Sequence, residues 1–314
     1  MRALVLENKT VRLERERPDP EPGDGFVTVQ TLVAGVCNTD LELARGYMGF
    51  SGVLGHEFVG EALDGAFAGR RVVGGINFGC GSCPTCDAGM ARHCPTRTVL
   101  GILGADGVFA DRFVIPERNL LVVPDGVADR DAVFAEPLAA ACEILEQLAD
   151  LEPQPALVLG DGKLGTLVAQ VLAAHDFDVT LVGRHTDTLG WIAERGVTLA
   201  AEVADGRHWG LVVDATGSAE GLQTAIAATR PRGHLVLKTT VADGHSIDLA
   251  PVVINEITVV GSRCGQFGPA LELLAAGRVS VAPLVEQAYG LDAADDALTH
   301  AGRRGSRKIL IGGR

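Results

Sequence analysis

The chain has 314 residues, more than one ordinary domain holds, so two domains are expected. Hydrophobic residues make up 47% and charged residues 21%, which fits packed cores and excludes a disordered chain. A formal net charge of -13 has the wrong sign for nucleic acid or an anionic membrane surface, so neither is expected as a partner.

Met1–Thr10 lacks an apolar leader, and no run of ~18 uncharged apolar residues follows, so a cytoplasmic protein is expected. The seven cysteines are Cys37, Cys80, Cys83, Cys86, Cys94, Cys142 and Cys264. An odd count with four crowded together points to metal binding or catalysis in a reducing compartment rather than to disulfides.

In chain order, short β-rich runs come first: Ala3–Leu6, Phe26–Val33, Glu57–Ala62, Arg71–Val73 and Phe109–Ile115. Gly, Pro and Asp separate them, as in a small barrel-like β domain. Arg130–Ala149 then has helical spacing. Beyond Pro155 strands and helices alternate. The predicted strands are Ala156–Leu159, Val179–Val182, Leu211–Asp214, His234–Lys238 and Ile257–Gly261. The helices between and after them are Leu164–His175, Thr188–Arg195, Ala219–Thr229 and Ala270–Ala276. Such alternation predicts an α/β, doubly wound parallel sheet. A helix at Leu291–Ala301 and a strand at Lys308–Ile311 close the chain. The expected domains are 1–128 with 285–314, and 129–284.

Cys80, Cys83 and Cys86 follow one another at C-x-x-C spacing, with Cys94 shortly after. Gly79, Gly81 and Pro84 let this loop curl until four thiolates surround one ion, as in a closed structural zinc site. All four positions are filled by protein, so this ion takes no part in chemistry.

A second set is dispersed: Cys37, His56, Glu57 and Glu136. Singly, each has a plainer reading as a core thiol, a strand pair or a helix-start acid. Together, cysteine, histidine and carboxylate form a catalytic zinc set with one position open for water or substrate. Two zinc ions per chain are expected.

The strand Leu157–Leu159 runs into Gly160-Asp161-Gly162-Lys163-Leu164-Gly165 and then a helix. A G-x-G-x-x-G turn in that context brings backbone N–H groups and a helix N-terminus to a pyrophosphate. The next strand ends in Gly183-Arg184-His185. An NAD site usually carries an acid there for the ribose 2′-OH. Its replacement by glycine and arginine favours NADP(H), with NAD(H) as the alternative.

Cys37-Asn38-Thr39-Asp40, Gly55-His56-Glu57, the four-cysteine loop and Glu136-Pro137-Leu138 occur in one order along the chain. In this the sequence resembles the zinc-containing medium-chain dehydrogenase/reductase superfamily, the group of alcohol, sorbitol, glucose and threonine dehydrogenases. The resemblance implies a GroES-like β-rich catalytic domain beside a Rossmann domain. It makes Cys37 and His56 catalytic zinc ligands, with Glu57 and Glu136 competing for the third protein position. Glu136-Pro137-Leu138 is the polyol and sugar dehydrogenase version of the site. Thr39 stands at the position of the hydroxyl that accepts the alcohol proton, and Asp40 at that of the carboxylate orienting His56. Glu42 departs from the pattern, because many relatives have a histidine there to pass the proton outward. Thr216 and Gly217 line the cofactor cleft, and Arg307 matches an arginine that contacts the pyrophosphate.

The expected function is therefore hydride transfer between a secondary alcohol, polyol or sugar, or the matching ketone, and NAD(P). Two other readings are a zinc-free enone or quinone reductase on the same fold and a non-enzymatic nucleotide-binding sensor. A homodimer or homotetramer is expected, because apolar Ile257–Gly261 falls at an exposed sheet edge.

Overall fold

The computed structural model describes residues 1–185, 188–206, 209–238 and 247–312. The chain divides into two compact units, Met1–Glu136 with Val281–Arg314, and Pro137–Ser280. Among the described residues no helix is long and apolar enough to cross a membrane.

The first unit is built on a mixed sheet around the strand Phe26–Gly35. Along one edge this strand pairs with Glu57–Ala62. Its other edge is shared between Arg112–Pro116, opposite its first half, and Lys308–Gly312, opposite its last residues. A strand from the far C-terminus is thereby stitched beside residues near position 35. Val285–Tyr289 then adds parallel to Lys308–Gly312. Two smaller sheets complete the unit, one from Thr10–Glu14, Ala3–Glu7 and Gly52–Val53, the other from Asn77–Phe78, Thr98–Leu100 and Gly104–Ala105. Phe109, Phe134, Leu4, Leu6 and Leu54 are among its fully buried side chains.

The second unit carries a six-stranded sheet in which every neighbouring pair is parallel. In spatial order the strands are Val197–Ala200, Asp178–Val182, Pro155–Leu159, Trp209–Asp214, Thr229–Leu237 and Thr258–Gly261. Numbered by sequence this is 3-2-1-4-5-6, the Rossmann order, and the chain reverses direction of travel between its first and fourth strands. The first strand is buried except at its opening residue and reads as a continuous apolar run, as a strand covered on both faces must.

Several elements differ from expectation. Arg130–Ala149 is not one helix: Asp129–Ala132 forms a short turn of helix, and a new helix runs Ala135–Gln147. Pro137 is the reason. Inside a continuous helix its ring would meet the carbonyl four residues back, whereas in a first turn its missing N–H costs nothing. Phe109–Ile115 pairs regularly only from Arg112, because the Asp111 backbone N–H is diverted to the Arg2 carbonyl at 3.0 Å. The strands Val197–Ala200 and Val285–Tyr289 lacked a strong sequence signal. The latter exposes its three central residues, so its pattern is not that of a core strand.

Candidate metal centres and dinucleotide turn

Among the described residues, two groups of side chains come close enough to hold one ion each, with all ligand atoms of a group within 4.8 Å of one another. The first is Cys80, Cys83, Cys86 and Cys94. Cys83 precedes Pro84 at the start of a one-turn helix, and Cys94 follows a 3₁₀ turn, so two tight turns face each other. Sulfur–sulfur separations are 4.0 Å for Cys80 and Cys86 and 3.8 Å for Cys83 and Cys94. A tetrahedron with Zn–S bonds of about 2.3 Å has edges of about 3.8 Å, whereas a disulfide would need about 2.05 Å. Backbone N–H groups also point inward, from Cys80 to the Cys94 sulfur and from Gly81 to the Cys86 sulfur, both at 3.4 Å. Hydrogen bonding from Ser82 pulls the Cys80 thiol down to about 6. The Gly81 N–H pulls Cys86 the same way, yet desolvation and its three neighbouring sulfurs push it up to about 11. Four thiolates this close repel one another and are compatible only around a cation, which makes the donor set fit zinc.

The second group is Cys37, His56 and Glu57. Each residue is placed by backbone structure. Cys37 caps the helix Asn38–Ala44: the Asp40 carboxylate accepts the Cys37 backbone N–H at 2.8 Å, and the Cys37 side chain faces the Asp40 N–H in return. This helix was absent from the sequence reading, which took Cys37–Asp40 only as a motif. His56 immediately precedes, and Glu57 opens, the strand Glu57–Ala62, after Gly55 at φ +97. A side chain at Gly55 would strike the Phe109 ring.

Asp40 and His56 are both buried, with Asp40 Oδ1 3.2 Å from His56 Nδ1. The two atoms are within ion-pair distance but not aligned as a regular hydrogen bond, and neither has another protein partner. Burial opposes a charge on His56, but Asp40 and then Cys37 outweigh it and hold its pKa well above the usual value. The Thr39 hydroxyl lies 3.8 Å from the Cys37 sulfur. Glu42 points elsewhere and pairs with Arg45 at 2.5 Å on the half-exposed side of the helix.

The sequence reading missed Lys308. Its ammonium is buried, donates to Glu57 Oε2 and to the Val36 carbonyl at 3.3 Å, and lies 5.6 Å from the centre of the Phe134 ring. Burial lowers its pKa, but Glu57 first, then Cys37 and Glu136, raise it above the ordinary lysine value. Gly35 permits the contact, because a Cβ there would overlap the Glu57 carboxylate. The signal was present in the sequence: a lysine opening the apolar run Ile309-Leu310-Ile311 has to be buried or turned outward. Glu136 is not in the three-residue cluster. It is the second residue of its helix, partly exposed, and acts on Lys308 through its charge.

In the second unit, Gly160 follows the first strand with φ +103, and Gly165 lies so close to the Gly160 carbonyl that any Cβ would overlap it. Gly162 caps the helix Lys163–Ala174 without a side-chain hydrogen bond, and a Cβ there would meet nothing within 4 Å. Gly162, Lys163 and Leu164 thus form a helix start open on one side, a cradle that fits a pyrophosphate. Thr216 is held by Asp214, its hydroxyl donating at 2.7 Å, and Gly217 turns at φ +69. Arg184 and His185 are exposed beyond Gly183. The corner does contain an acid, which residues 183–185 alone did not suggest: Asp161 from the glycine turn accepts the His185 backbone N–H. Arg307, in the first unit, donates its guanidinium to the Pro283 carbonyl at 3.1 Å and its backbone N–H to Glu286 at 2.7 Å.

Residues 23–125 match the model of the alcohol dehydrogenase GroES-like domain. An L-threonine 3-dehydrogenase of Streptomyces coelicolor is 30% identical over 99% of both chains. A sorbitol dehydrogenase of Halalkalibacterium halodurans is 29% identical over 95% of this chain and 94% of its own. The crystal structure of a zinc-binding dehydrogenase from Sinorhizobium meliloti, bound to NADP, superposes with a TM-score of 0.88 at 25% identity, covering 99% of this chain and 98% of that one.

Proposed function

The chain belongs to the zinc-containing medium-chain dehydrogenase/reductase superfamily, and from that premise we propose how its residues divide the work. It is an oxidoreductase that moves a hydride between a secondary alcohol, polyol or sugar, or the matching ketone, and a nicotinamide cofactor. The first unit is the catalytic domain and the second the dinucleotide-binding domain. Each chain takes two zinc ions, one closed in by Cys80, Cys83, Cys86 and Cys94, the other at Cys37, His56 and a glutamate. The thiolate loop calls for a reducing compartment such as the cytoplasm.

When bound, the second zinc supplies a Lewis acid for the substrate oxygen, and the nicotinamide carries the hydride. The protein's own part is proton handling and positioning. Asp40 takes the Nδ1 side of His56, which leaves Nε2 to face the metal. The Thr39 hydroxyl, beside the Cys37 sulfur, receives the proton of the substrate hydroxyl. Glu42, three residues along the helix, is turned away to Arg45, which favours an outward proton path through water and the cofactor ribose over one through Glu42. Lys308 holds Glu57 at the centre, and Glu136 is the second carboxylate for the same position. On the cofactor side the glycine turn, Thr216, Gly217 and Arg307 bind the dinucleotide. Gly183 and Arg184 support NADP(H), whereas Asp161, in the same corner, supports NAD(H).

The observation that carries this proposal is the cluster of half-buried Cys37 with buried His56 and Glu57, and its lysine. Its test is a panel of sugar alcohols, amino alcohols and cyclic ketones followed by nicotinamide absorbance, in the parent and in Cys37→Ser, before and after chelation. Turnover is expected only in the zinc-loaded parent. Turnover indifferent to both treatments supports the zinc-free reductase instead. Binding of the dinucleotide with no turnover on any substrate supports the sensor.

A further inference from the structure

Gly183 and Asp161 belong to one device. The strand Asp178–Val182 and the glycine turn are tied together where the Gly160 N–H donates to the Val182 carbonyl at 2.9 Å. Across that tie the Asp161 side chain lies flat against Gly183, only 10% exposed. A Cβ on Gly183 would overlap the carboxyl group of Asp161. The backbone at Gly183 is not left-handed, so the glycine is required by crowding and not by φ. This corner therefore has room for an acid at 161 or a side chain at 183, but not both. Asp161 Oδ2 is fixed by the His185 backbone N–H, and Oδ1 lies 3.6 Å from His185 Nδ1. The carboxylate is thus held in place at the end of the strand, where an acid conventionally reads the adenosine ribose.

We propose that Asp161, supplied by the glycine turn in place of a residue at the strand end, is the ribose-reading acid of this enzyme and makes it select NAD(H) over NADP(H). The inference rests on the dinucleotide reading above. A fixed carboxylate accepts hydrogen bonds from a ribose hydroxyl and repels a phosphate on the same carbon, while exposed Arg184 is the counterweight that would welcome that phosphate. The carboxylate prevails because it is buried and anchored, whereas Arg184 is exposed and screened by water and salt.

The test titrates NADH and NADPH against zinc-loaded full-length protein, reading the change in nicotinamide fluorescence so that no turnover is needed. The parent is expected to bind NADH at least about tenfold more tightly. Asp161→Asn keeps an oxygen to accept the His185 N–H but loses the charge, and it should move the ratio toward NADPH by roughly ten- to a hundredfold. Adding Arg184→Ala to that variant should remove the gained NADPH affinity. The exchange Asp161→Ala with Gly183→Asp moves the acid to the strand end and should restore the preference for NADH, an outcome a merely structural Asp161 would not produce. A parent that favours NADPH, or an Asp161→Asn ratio equal to the parent's, overturns the proposal and leaves dinucleotide binding intact. A parent that binds neither cofactor overturns the dinucleotide reading and this inference with it.

Discussion

Lys308 and Glu57 form a buried ion pair inside a cluster of metal donors, and the two facts pull against each other. An isolated buried charge is costly, and Lys308 and Glu57 each supply the other's counter-charge in the buried centre. A zinc ion held by Cys37, His56 and Glu57 would compete with Lys308 for the Glu57 carboxylate. Removing one partner of a buried pair typically costs about 3–5 kcal/mol, because the other charge is left uncompensated. Lys308→Met is therefore expected to destabilise the protein and make what stability remains depend on zinc. Its melting temperature should fall further on chelation than the parent's does, and equal chelation shifts in the two proteins would show that Glu57 does not face the metal. Glu136 gives a separate expectation at this scale. If it serves as the alternate carboxylate, Glu136→Ala should slow turnover about 10- to 100-fold while zinc content stays near that of the parent. A normal rate would leave Glu136 as a helix-start residue whose charge favours the N-terminus.

The elements that carry the site do so through their ends. The helix Asn38–Ala44 offers its cap, Glu57–Ala62 its first residue, Lys308–Gly312 its first residue, and Lys163–Ala174 its open N-terminus. Ends are where backbone groups are unsatisfied and side chains can converge. The four-cysteine loop differs, because it has almost no regular structure of its own, so the proposed closed zinc would be what holds it. Cys86→Ser is accordingly expected to impair folding, seen as low soluble yield and loss of one zinc. Cys37→Ser should fold and retain the closed zinc but lose turnover. A Cys86→Ser protein that melts like the parent would contradict the structural assignment. In the glycine turn, Gly165→Ala should weaken NADH binding by at least about tenfold, because the added methyl overlaps the Gly160 carbonyl and has to displace the turn.

At the scale of the whole molecule, the parallel sheet ends on Thr258–Gly261, an edge strand with exposed Val259. Val253 and Ile254, in the nearby helix Ala250–Ile254, are 76% and 77% exposed. An open edge flanked by apolar side chains suits pairing with a second copy across a two-fold axis. Light scattering at micromolar concentration is expected to give a dimer or tetramer, and Val253→Lys with Val259→Lys to reduce it to monomer. A monomeric parent would refute this assembly.

Much of this protein was legible in its sequence, for a physical reason. Clusters of metal donors and phosphate-type turns need particular residue types at short spacings, so C-x-x-C-x-x-C, Gly-His-Glu and the glycine turn stand out as candidates before folding. The alternation of strand and helix beyond Pro155 likewise dictates a parallel sheet, because only crossover helices return the chain to the same end. What the sequence did not determine depends on partners distant along the chain. Lys308 meets Glu57 only because strand pairing brings residue 310 beside Gly35 and residue 57 beside it on the other edge. Asp161 meets Gly183 only because the first two strands of the second sheet are in parallel register, Leu159 opposite Val182. Read along the chain, Gly183 looks like a missing acid. Read in space, it is the gap that makes room for one.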